Sequence, residues 1–240
     1  NLKSIVVHFD YSSFHLPIAD VIPEIKEKLL TDNTLIVSAP PGAGKSTLLP
    51  LALAGEQWLN GQKILMLEPR RLAARTIAVR MSDMIGESVG ATVGYRIRFE
   101  SRVSATTQIE VLTEGILTRM LQSDNTLDGV GMVIFDEFHE RSLFADVALA
   151  LCREAQQVLR PDLRIVVMSA TLDMPSLANL LTANVVESAG RQYPVDIIYA
   201  DGQDITLLPE LTARMVVRAL KEQSGDALVM GPHLAEQVTD

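Results

Sequence analysis

A chain of 240 residues that is 48% hydrophobic carries enough apolar side chain for one large core, or one core and part of a second. Its formal charge of −9, from 21 basic and 30 acidic residues, argues against a generally basic coat for nucleic acid, and the one cysteine, Cys152, excludes an intrachain disulfide and a thiolate zinc site. Apolar runs stop at six or seven residues and the N-terminus lacks a basic-then-apolar leader pattern; the expectation is no membrane span and a cytoplasmic location.

In chain order, a short β-branched run at Ile5 to Val7 lies in a first segment, residues 1 to 15, to which no chemistry attaches. Strands are then expected at Leu35 to Val37, Ile64 to Leu67, Gln108 to Leu112, Met132 to Phe135, Ile165 to Met168 and Ile197 to Tyr199. Three- and four-residue apolar spacing predicts helices over Lys45 to Ala54, Arg71 to Ile85, Glu114 to Gln122, Leu143 to Leu159 and Ile205 to Leu220. Strands apolar on both faces and separated by helices imply an α/β fold: a mainly parallel sheet with helices on both faces, whose ligands gather beyond the carboxyl ends of the strands. Cys152 falls in an apolar helical pattern and reads as a packed thiol. A polar turn at residues 200 to 204 is the expected end of this layer.

Two stretches at strand ends carry chemistry. In "SAPPGAGKST", residues 38 to 47, Gly42, Gly44, Lys45 and Ser46 hold the spacing of a phosphate loop, with Ala39 where the leading glycine usually stands. Glycines let backbone N–H groups of Gly42, Ala43 and Gly44 converge on phosphate oxygens, Lys45 adds a point charge, and the Ser46 hydroxyl, followed by Thr47, suits Mg²⁺. A glycine turn with an exposed lysine is the plain alternative. Further on, the apolar run Met132 to Phe135 ends abruptly in Asp136 and Glu137. Adjacent acids beside a buried strand cost stability unless something offsets them. A shared Mg²⁺ held by Asp136 and a water deprotonated by Glu137 would do so, whereas a lone Asp-Glu pair elsewhere is most often a solvated turn.

These stretches resemble, in order, the motifs of the DEAH-box superfamily 2 RNA helicases, most of all the bacterial HrpB group. "APPGAGKS" is similar to motif I, "EPRR" at Glu68 to Arg71 to motif Ia, "TEG" at Thr113 to Gly115 to motif Ib, "DEFH" to motif II and "SAT" at Ser169 to Thr171 to motif III. "LPI" at residues 16 to 18, "VGYRIRFE" at 93 to 100 and "GRQYPV" at 190 to 195 also fit. Phe138 departs from the family, which has alanine there; its ring is expected to pack beneath the motif.

The resemblance implies a RecA-like P-loop NTPase fold over residues 16 to 203. Residues 204 to 240 would form a linker and the beginning of a second RecA-like lobe, starting with the strand-like "GDALVMGP" at 225 to 232. It implies ATP, with other nucleoside triphosphates accepted, together with Mg²⁺ on Ser46 and Asp136. It further implies that Lys45, Asp136, Glu137 and His139 are catalytic, that Arg80 stacks on the nucleobase, and that Ser169 and Thr171 couple the two lobes. Arg70, Arg71 and Thr113 would track the phosphates of single-stranded RNA, with DNA as an alternative. His139 and Arg80 also read as ordinary solvated side chains, and Arg96, Arg98 and Arg102 as the exposed arginines of a β-hairpin. A GTPase would need an Asn-Lys-x-Asp guanine reader, which this sequence lacks. A nucleotide-gated binding module with little turnover is the alternative from another class.

Overall fold

The computed structural model describes residues 9–170, 174–190, 195–199, 208–227 and 229. Its contacts divide the chain into Asn1–Arg191 and Gln192–Asp240. The strand expected at Ile5 to Val7, Thr171, most of "GRQYPV", the polar turn at 200 to 204 and half of "GDALVMGP" lie outside the described residues.

The first unit is built on eight strands: β1 (Thr34–Ser38), β2 (Lys63–Leu67), β3 (Val93–Ile97), β4 (Glu100–Arg102), β5 (Ile109–Leu112), β6 (Val130–Phe135), β7 (Arg164–Ser169) and β8 (Asn184–Glu187). Their order across the sheet is β4-β3-β5-β2-β6-β7-β1-β8, with every pairing parallel except the hairpin β3–β4. The pleat sends alternate residues to opposite faces, so each central strand feeds two cores. On one face Leu35, Val37, Ile64, Met66, Met132 and Ile134 meet α1 (Ile22–Thr31), α2 (Leu48–Ala54) and α3 (Arg71–Met84). On the other, Ile36, Leu65, Val133, Phe135 and Val167 meet α4 (Glu114–Ser123), α5 (Leu143–Val158) and α6 (Met174–Leu181).

The helices bury the faces their spacing dictates. In α5, Ala145, Ala148, Leu149, Cys152 and Ala155 are buried at steps of three and four, and the Ser142 hydroxyl caps the helix by accepting from the Ala145 N–H at 3.0 Å. Cys152 is fully buried and its thiol is pushed up to about 12 by that burial, as a packed and unreactive sulfur should be.

Three expected elements change. The run Ile197 to Tyr199 forms no strand; its side chains are exposed, and strand propensity without a neighbouring ladder yields no strand. The sheet instead finishes with β8, beside β1. The helix expected from Lys45 starts at Leu48; Lys45 to Thr47 form a turn closed by the Thr47 N–H, which donates to the Gly44 carbonyl at 3.3 Å. In the second unit the last helix, α7, spans Leu208–Glu222, and residues 205 to 207 lie outside the described set.

Candidate functional site

A parallel sheet puts all of its carboxyl ends on one edge, and the motif residues line that edge in strand order. Thr113 follows β5, Glu68 to Arg71 follow β2, Asp136 and Glu137 follow β6, Ser169 and Ala170 end β7, and the phosphate loop follows β1. β7 separates β6 from β1, so Lys45 reaches across one strand to the acids.

The loop is shaped by contacts as much as by its glycines. Gly42 and Gly44 have φ of 77° and 91°, in the region that favours glycine. A Cβ on Gly44 would lie 2.7 Å from Leu16 Cδ1, so the lead-in segment at residues 16 to 18 presses on the loop there. The same segment is tied on by the Ile18 N–H, which donates to the Ala43 carbonyl at 3.0 Å. Ala39 is buried, its N–H donating to the Ser169 carbonyl at 3.0 Å, and its methyl is accommodated where a leading glycine usually stands. On the loop's other flank, Gly190 (φ 66°) lies so close that a Cβ there would come within 2.2 Å of Pro40 Cγ.

Lys45 is 4% exposed and its Nζ lies 2.6 Å from Glu137 Oε1. Burial strengthens that attraction by removing competing water. Asp136 is buried. Its Oδ1 accepts from the Glu137 N–H at 2.9 Å, and among the described residues its Oδ2 has no hydrogen-bond partner. Burial pushes the Asp136 carboxyl up to about 6; the Ser46 hydroxyl and the Lys45 ammonium pull it back, and the Glu137 charge raises it again. Glu137 takes a left-handed backbone (φ 48°, ψ 36°), uncommon for a residue with a Cβ, and this turns its carboxylate toward Lys45 at the head of the 3₁₀ turn Phe138–Glu140.

His139 Nδ1 lies 3.3 Å from Glu137 Oε2 and 3.4 Å from the Ala170 N–H. One nitrogen can donate to the carboxylate or accept from the amide, not both. His139 therefore joins the end of β6 to the end of β7, which is more than a solvated surface histidine does. Phe138 is buried, meets Phe135 edge-to-face at 6.3 Å and carries the Arg141 guanidinium 5.6 Å from its ring centroid. The extra ring thus sits in the core, beneath the motif and away from Lys45.

Other expected site residues divide. Ser169 is fully buried and its hydroxyl has no partner among the described residues. Arg80 is exposed on α3 and makes no ion pair among the described residues. Arg70 is turned to acids, with Nη2 2.8 Å from Glu140 and Nε 3.8 Å from Glu68. Arg71 is exposed and, with Thr113, lines a cleft of about 270 Å³. Of the hairpin arginines, Arg96 is structural: with Lys63 it neutralises Glu110 inside β5 at 2.7 Å each. Burial alone would raise the Glu110 carboxyl, but the bonds from Arg96 and Lys63 outweigh it and hold it below the usual range. Arg98 joins the cleft, and Arg102 is exposed.

Glu68 is the residue that motif reading left without a role. It is 1% exposed, and burial, with the neighbouring Asp136 charge, pushes it up to about 7 against an ordinary 4.5. In sequence the sign was only that Glu68, like Asp136, directly follows an apolar strand; the structure pairs Leu67 in register with Phe135, so the two adjacent strands each end in a carboxylate at the same level.

Among the described residues, no group of three His, Cys, Asp or Glu side chains could hold a metal unaided. The arrangement suits a cation that arrives with most of its ligands, with Asp136 Oδ2 and the Ser46 hydroxyl available to it.

A family model described as DEAD/DEAH box helicase matches residues 19–180. The chain is 48% identical over 222 residues to the ATP-dependent RNA helicase HrpB of Escherichia coli, covering 92% of this chain and 27% of that protein. It is 38% identical over 189 residues to the ATP-dependent RNA helicase HrpA of Borreliella burgdorferi, covering 78% and 23%. A crystal structure of the E. coli DEAH/RHA helicase HrpB superposes with a TM-score of 0.80 at 46% identity, over 92% of this chain and 28% of that one. The chain therefore spans about a quarter of the length of these relatives.

Proposed function

Because the chain belongs to the DEAD/DEAH box helicase family, we propose that it is the nucleotide-binding, RecA-like lobe of a DEAH-type ATP-dependent RNA helicase that couples ATP hydrolysis to movement on single-stranded RNA. The observation that carries this reading is the buried Lys45–Glu137 pair beside an Asp136 oxygen with no partner, all at the carboxyl ends of β1 and β6.

Backbone N–H groups of Gly42, Ala43 and Gly44 cradle the β-phosphate, and Lys45 leaves Glu137 for the phosphate oxygens. That exchange frees the Glu137 carboxylate, which takes a proton from the attacking water. Ser46 and Asp136 would hold Mg²⁺, with Thr47 beside them for the phosphates, and the ion would supply positive charge to offset that of the phosphates. His139 positions Glu137 through Nδ1 and, with Ser169 and Thr171, relays the nucleotide's state to a second lobe beyond residue 204. Arg80 stacks on the base, which leaves base edges unread and accepts other nucleoside triphosphates. Arg71 and Thr113 contact RNA phosphates, and Arg70 joins them when it releases Glu140; contacts of this kind also admit DNA. Among the described residues no helix is long and apolar enough to cross a membrane, and a cytoplasmic site of action is part of the proposal.

The test is phosphate release from ATP, with and without single-stranded RNA, alongside fluorescent-nucleotide titration. It compares this chain with a version extended through a second RecA-like lobe. The expected result is nucleotide binding by both and RNA-stimulated turnover only in the longer one, because a second-lobe arginine is worth roughly 10³- to 10⁵-fold in rate in other P-loop NTPases. Absence of nucleotide binding in both would overturn the reading.

A further inference from the structure

The cleft after β5 and β2 contains more than the motif residues. Three arginines line it: Arg71 from α3, Arg98 from the β3–β4 turn and Arg119 from α4. Among the described residues none of the three pairs with a carboxylate, although nearby Arg70, Arg96 and Arg141 are taken by Glu140, Glu110 and Asp146. Acids outnumber bases 30 to 21 in this chain, so a cationic cluster that escapes pairing points to an anionic ligand. Arg71 is also held in place, its Nη2 donating to the Arg98 carbonyl at 3.0 Å. The one carboxylate of the lining, Glu114, is turned to the Ser142 hydroxyl, which donates to it.

The same lining includes Phe144, the second residue of α5, which is 60% exposed. Leu143 and Phe144 are both exposed at the start of α5, at 75% and 60%, and of the two it is Phe144 whose ring lines the cleft beside the guanidinium groups. Three guanidinium groups beside one aromatic ring suit a polymer of phosphates and flat bases. The cleft, about 270 Å³ in volume, is open to solvent.

We propose that Phe144 is a base-stacking platform for single-stranded nucleic acid, set in an anion-binding cleft formed by Arg71, Arg98 and Arg119. One base lies on the ring while the flanking phosphates meet the guanidinium groups. Because a ring reads only the flat face of a base, the contact holds the strand without selecting sequence. The inference rests on the nucleic-acid reading above and deepens it by adding Arg98, Arg119 and Phe144 to the path.

The test is titration of the 240-residue chain at low ionic strength with two fluorescein-labelled 12-mers, oligouridylate RNA and an abasic ribose-phosphate strand. Phe144→Ala should weaken oligouridylate binding roughly 5- to 100-fold, the worth of one stacked base, and leave the abasic strand within about two-fold. Phe144→Tyr should restore the loss, and Arg119→Ala should weaken both strands and lower the salt slope by about 0.7. Equal behaviour of Phe144→Ala and the unmodified chain on both strands would overturn the stacking role, as would an equal loss on both or no recovery by tyrosine. If the unmodified chain binds neither strand, the nucleic-acid reading itself falls, and this inference with it.

Discussion

Lys45 and Glu137, 92 positions apart in sequence, meet at 2.6 Å across the end of an intervening strand. The two side chains therefore neutralise each other directly. On the proposed reading, a phosphate that takes Lys45 would also uncover Glu137, tying ligand binding to activation of the base.

Lys45→Ala is expected to abolish Mg²⁺-nucleotide binding with the fold preserved. Glu137 is 19% exposed and can turn to water once its partner is removed. Fluorescent-nucleotide titration with a circular dichroism control measures both, and unchanged affinity would sink the assignment of Lys45.

Glu137→Gln keeps the shape, removes the proton acceptor and releases Lys45 from its ion pair. Hydrolysis should fall roughly 10²- to 10⁴-fold. Nucleotide affinity should rise about 2- to 5-fold, because Lys45 no longer has to leave a charged partner. A variant that loses turnover and affinity together would contradict the exchange of partners at Lys45.

Glu68→Gln tests the buried carboxylate beside Asp136. Its folded-state pKa, about 7, lies above the ordinary 4.5, so the folded state holds that proton more tightly than the unfolded chain. Stability from this group is full below about pH 4.5 and is lost as pH rises through 7. The amide, which needs no proton, should stabilise the chain by on the order of 1–3 kcal/mol at pH 8 and by almost nothing at pH 4.5. Urea denaturation at the two pH values decides, and a gain independent of pH would mean that the proton is not the cause.

Arg80→Ala should weaken ATP, GTP, CTP and UTP to a similar degree, since a stacked guanidinium reads no base edge. Parallel titrations check this; a loss confined to ATP would assign Arg80 a different contact.

Most of the sheet was legible in the sequence because its strands are apolar on both faces, and the site was legible because each motif ends one of them. Ile197 to Tyr199 looked like a strand for the same reason, yet propensity cannot report whether a neighbour exists; Asn184–Glu187, more polar and at the sheet edge, took that place. Lys45 to Thr47 looked like helix because the phosphate-loop pattern usually runs straight into one. Glu68 went unread because its burial depends on the register of two strands 60-odd residues apart, and register is not visible in either strand alone. Phe144 was hidden for a related reason: an apolar residue at the start of an apolar helix reads as core until its exposure is measured.

Gly190 and Pro40 leave no room between them for even a methyl group. Gly190 is also the next-to-last residue of the first unit, so the chain's exit from that unit doubles as a wall of the phosphate loop. A substitution as small as Gly190→Ala would have to displace Pro40, and with it the entry to the loop, while leaving Gly42 to Thr47 unchanged in sequence.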